Sequence, residues 1–94
     1  MKTGIYQYYR EGHQYHVIAI ALDTVHKEGE VRDPDGHVEH HMETVIYKAL
    51  YPIKDLEDQF GLYPYFTRTI ESFFQEVEYE GNMVPRFTYV GPMD

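Results

Sequence analysis

The chain has 94 residues, enough for one domain and too few for two. Sixteen acidic residues against eight basic ones give a formal net charge of -8, with no run of Lys or Arg, so binding to nucleic-acid phosphates or to anionic lipid is disfavoured. Cysteine is absent, which excludes disulfides, thiolate metal sites and thiol nucleophiles.

At the N-terminus, Met1 to Gln7 holds no apolar stretch of signal-peptide length. The longest apolar run, Val17 to Leu22, falls far short of a membrane span, so a soluble, cytoplasmic protein is expected. Gly4 to Arg10 is rich in β-formers and stops at the turn signal Glu11-Gly12. Tyr15 to Leu22 is apolar at both alternating sets of positions. That pattern predicts either a central strand covered on both sides or a strand that bends within a small closed barrel. Between Val31 and Val38, Asp33-Pro34-Asp35-Gly36 supplies turn residues, and a projecting hairpin is expected there.

Glu43 to Leu50 reads as the next strand. After Pro52, Ile53, Leu56 and Phe60 fall at helical spacing and Gly61 follows, which predicts one short helix. Tyr65 to Arg68 reads as a brief strand and Thr69 to Phe74 as a helical turn. Gln75 to Tyr79 alternates polar and apolar residues, turns at Glu80-Gly81-Asn82, and is expected to return as Pro85 to Val90. Several short strands joined by brief turns predict a mainly β fold, a small barrel or roll with one or two helical turns. Ten Tyr and five Phe must supply much of its core, because a chain this short buries only about 60–65% of its unfolded surface.

The opening Gly4-Ile5-Tyr6-Gln7-Tyr8-Tyr9 with Tyr15 to Ala21, and the strand Val45 to Tyr51, resemble segments of the DUF1653 family. The closing run is the most specific: Arg68 to Phe74, Val77-Glu78, Gly81, and Val84-Pro85-Arg86-Phe87-Thr88-Tyr89-Val90. The resemblance implies a single SH3-like barrel domain over residues 1–94, with insertions near 27–40 and 52–64. It implies no activity, the family being one of unknown function. Where the family carries Ala-Arg-His-Ser-Glu-Thr, this chain reads Ala21-Leu22-Asp23-Thr24-Val25-His26. The family's Trp-Val-Arg-Pro element becomes Phe66-Thr67-Arg68-Thr69, keeping only the arginine.

Candidate chemistry is sparse. On an extended strand His37, Glu39, His41 and Glu43 share a face, and with His40 nearby they form a candidate divalent-metal cluster. Solvated histidines on a projecting hairpin are the plainer expectation, so no metal and no cofactor is predicted. Asp33-Pro34-Asp35-Gly36 fails as a calcium loop, because Val31 and Met42 stand where acidic ligands are needed. Ser72 is the single serine and lacks the glycine-rich setting of a hydrolase nucleophile. Glu76, Glu78 and Glu80 read as a solvated row.

Arg68 and Arg86 stand among apolar and aromatic residues, where a guanidinium needs a carboxylate, a ring face or an anion. A structural ion pair, for Arg68 with Glu71, is the favoured expectation. The functional alternative is an anion or carboxylate site formed by Arg68 with Tyr8 and Tyr47, near Glu71 and Arg86. Tyr6, Tyr8 and Tyr9 offer an aromatic groove for an extended peptide, although core packing must claim most of them. These residues favour a non-catalytic binding module for a peptide, protein or small anion over an enzyme using the histidines. Edge strands and the Val31–Val38 hairpin also make a homodimer an expectation.

Overall fold

The computed structural model describes residues 1–23 and 42–93. Seven strands form in chain order: β1 (Gly4–Tyr8), β2 (Gln14–Asp23), β3 (Met42–Ala49), β4 (Tyr65–Thr69), β5 (Glu76–Tyr79), β6 (Asn82–Pro85) and β7 (Phe87–Gly91). A 3-10 turn at Lys54–Leu56 runs into the single-turn helix α1 (Glu57–Phe60), and a second such helix, α2 (Ile70–Phe73), follows β4. The expected hairpin at Val31–Val38 lies outside the described residues, as does the 27–40 segment.

Five strands make one antiparallel sheet in the order β4-β3-β2-β1-β7, and β5 and β6 form a separate hairpin. Glu11 and Gly12 close β1 onto β2 with positive φ at both. Glu80 (φ 51°) and Gly81 (φ 82°) do the same for β5 and β6, the conformation that a tight two-residue hairpin loop requires.

The doubly apolar pattern of β2 has a geometric cause. Val17 pairs with Tyr47 and Ala19 with Ile46, so Ile18 is the extra residue of a bulge. Val17 therefore faces inward before the bulge, and Ile20, opposite the buried Val45, shares the inner face after it. Register thus turns one parity of the run inward before the bulge and the other parity after it, although Ile20 itself stays 40% exposed and the core contribution of β2 is Val17. A bulge also bends its strand, as a closing sheet needs.

Tyr6, Val17, Val45, Tyr47, Phe73 and Phe87 are the buried core, with Tyr8, Tyr15, Phe66 and Ile70 packed against it. Five strands laid flat would put their outer edges roughly 19 Å apart. Here the Arg68 guanidinium on β4 lies 5.9 Å from the ring centre of Phe87 on β7. The sheet is thus rolled until its two edge strands meet side chain to side chain. Helix α2 drops Phe73 into the roll, where it stacks on Phe87 at 4.1 Å with the rings parallel to within 1°.

The structure corrects the last hairpin. Its return strand is only Asn82–Pro85, while Phe87–Gly91 pairs with β1. Pro85 has no N–H to extend the ladder, and Arg86 makes the handover. Its N–H donates to the Gln75 carbonyl, and its carbonyl accepts from the Tyr9 N–H, both at 3.0 Å.

Candidate binding site

Inward-facing side chains of all five sheet strands surround one cavity of about 240 Å³. They are Tyr8 of β1, Tyr15 of β2, Tyr47 of β3, Phe66 and Arg68 of β4, and Phe87 of β7. Strand alternation puts them there. Phe66 pairs with Tyr47 and Tyr8 with Phe87, and Arg68 lies two residues beyond Phe66 on the same face.

The five rings brace one another. Tyr47 stacks on Phe66 with ring centres 5.6 Å apart, and Tyr15 meets Tyr47 edge-on at 5.3 Å. Tyr8 and Phe87 lie 5.1 Å apart. Each ring is held by another wall of the same cavity, so the walls are set before any ligand arrives. Tyr15 is also fixed from behind by a 2.8 Å hydrogen bond with the Tyr51 hydroxyl, and Tyr51 stacks on His13 at 3.8 Å. Burial first, and the bond to Tyr51 second, push the Tyr15 hydroxyl well above the usual tyrosine pKa.

Arg68 is the cavity's one charge. Its Nε donates to the Tyr47 hydroxyl at 3.4 Å and its Nη1 to Ser72 Oγ at 3.1 Å. A guanidinium has five N–H donors, and Nη2 has no partner among the described residues. The expected ion pair with Glu71 is not made: Arg68 forms no ion pair with a described residue. The cause is the phase of α2. Thr69 caps it by accepting from the Ser72 N–H at 3.1 Å, which turns Ser72 back toward Arg68. Glu71 is left exposed, on a different cavity with Thr69, Ser72 and Gln75.

Of the predicted site residues, Arg68, Tyr8 and Tyr47 therefore meet in one cavity, whereas Glu71 and Arg86 do not join them. Arg86 Nη2 donates to Gln75 Oε1 at 3.1 Å, and its Nε is buried without a partner among the described residues. Tyr15, Phe66 and Phe87 complete the walls and were not predicted. The two-residue step from Phe66 to Arg68 was a readable signal for one of them. Tyr6 belongs to the core, 3% exposed, and donates to the Lys2 carbonyl. Tyr9 faces a wider groove of about 420 Å³ with Tyr79, Val84 and Val90. His37, His40 and His41 lie outside the described residues, and no described group of three His, Asp or Glu is placed to hold a metal. No described helix is long and apolar enough to cross a membrane.

Fold and site together define a small rolled β domain with a preformed, arginine-bearing aromatic cavity at the meeting of its sheet edges. The family model for a protein of unknown function, DUF1653, matches residues 26–89, and the chain belongs to that family. No curated protein and no solved structure matches the chain.

Proposed function

We propose that this domain is a non-catalytic, SH3-like binding module of the cytoplasm that holds a small anion, or the anionic part of a peptide or protein, in the Arg68 cavity. The observation that carries this reading is the guanidinium itself, set among five rings with no carboxylate partner among the described residues. A cation in such a setting is normally paired, and an anionic ligand supplies the missing partner. Catalysis has less support, since the lining residues include no carboxylate, histidine or serine to act as base or nucleophile. Partners that present many phosphates have less support as well, given the net charge of -8.

Calorimetric titration with sodium acetate and sodium phosphate tests the reading on the wild type and on Arg68→Ala. Binding of either anion by the wild type, lost in a variant that keeps its far-UV and near-UV circular dichroism, is the expected result. Equal binding by both proteins would place the anion elsewhere, and the reading would fall.

A further inference from the structure

The cavity's chemistry narrows its occupant. The rings present electron-rich faces that on their own would attract a cation. Arg68 sits in the same cavity and repels one, so quaternary ammonium groups and methylated lysines are poor ligands. The ligand must therefore be amphipathic, with an anionic end at Arg68 Nη2 and an uncharged body against the rings. Tyr47, which accepts from Arg68, keeps its own O–H to donate.

Charge balance chooses between anions. One guanidinium neutralises one negative charge, and its planar fork matches the two oxygens of a carboxylate. A phosphate dianion would leave a second charge uncompensated among aromatic walls, at a large desolvation cost. Size and shape choose the body. At about 240 Å³ the cavity is smaller than sites for drug-sized ligands, which run from roughly 300 to 1,000 Å³. A single ring fits that scale. Five of the six lining side chains are aromatic, and ring–ring contacts bind beyond what buried area alone gives.

We infer that the occupant is a monocarboxylate joined to a flat aromatic body, its carboxylate on Arg68 and its ring among Tyr8, Tyr15, Phe66 and Phe87. The inference rests on the anion-binding reading above. Two sources share this chemistry: a free aromatic acid, and the C-terminal Phe or Tyr of another protein.

The test is a ¹H–¹⁵N titration of the wild type and of Arg68→Gln with benzoate, acetate, inorganic phosphate, the peptide Gly-Gly-Phe and its C-terminal amide. Benzoate or Gly-Gly-Phe should bind about tenfold or more tighter than acetate and phosphate, with loss of the charged hydrogen bond in Arg68→Gln weakening binding by a similar factor. Shifts should centre on the amides of Tyr8, Tyr15, Phe66 and Phe87. A free peptide terminus preferred over benzoate, with the amide inactive, identifies a protein C-terminus; the reverse order identifies a free acid. Acetate or phosphate binding as tightly as benzoate, still dependent on Arg68, would leave the anion site standing and overturn the aromatic carboxylate. No response to any anion would remove both. Should Arg68→Gln fail to fold, Phe66→Leu retains the guanidinium and an apolar wall while removing one ring, and it must narrow the gap between benzoate and acetate; an unchanged gap overturns the inference.

Discussion

Phe87 lies where core and cavity meet. It is 4% exposed, stacks on Phe73 and also touches the rings of Tyr8, Tyr15 and Tyr47. Removing it leaves a void lined by rigid rings that relax poorly, so Phe87→Ala should cost about 3–5 kcal/mol, read from urea unfolding midpoints, and Phe87→Leu clearly less. Tyr15 makes a different prediction. Its hydroxyl pKa is raised in the folded protein, mainly by burial, whereas in the unfolded chain it titrates near the ordinary value of about 10. Above that pH the folded state binds more protons than the unfolded state, so stability must fall as pH rises. Burial raises Tyr6 as well, in the same sense. The urea midpoint should therefore drop between pH 8 and 11, and Tyr15→Phe should drop less; an identical drop would show that Tyr15 is not a source.

At the scale of elements, the pairing of β7 with β1 depends on a glycine. Gly4 has φ +136°, and a Cβ placed there would lie 2.6 Å from the Gly91 carbonyl oxygen on the facing strand. Gly81 also has positive φ, but a Cβ there would meet nothing within 4 Å. Gly4→Ala should therefore cost about 1–3 kcal/mol and loosen β7, against about 1 kcal/mol for Gly81→Ala, where only the backbone conformation is strained. Thermal unfolding of the two variants side by side gives the comparison. Most element types were readable because their signals are local: Glu11-Gly12 and Glu80-Gly81 as turns, Pro52 and Gly61 around a short helix, Thr69 to Phe74 as a helical turn. The limits of the last hairpin were not. Phe87 to Gly91 alternates as well against β5 as against β1, but in the structure β6 already occupies β5, and the Arg86 carbonyl, accepting from the Tyr9 N–H, leads β7 onto β1.

For the whole molecule, the decisive event is the closure of the sheet. Arg68 and Phe87 lie on opposite edge strands, four strand positions apart, and the cavity exists only because curvature brings them together. The sequence by itself determined that the chain is mainly β, that aromatic residues must fill much of its core, and that its formal net charge is -8. Each of those follows from composition or from spacing over a few residues. Only the tertiary structure decided that Tyr8, Tyr15, Tyr47, Phe66 and Phe87 surround Arg68, that Ile18 bulges and exchanges the faces of β2, and that Ser72 rather than Glu71 turns toward the guanidinium. The reason is physical: strand twist, one bulge and the phase of a four-residue helix act together across the sheet, so positions far apart in sequence meet through accumulated geometry that no local pattern encodes.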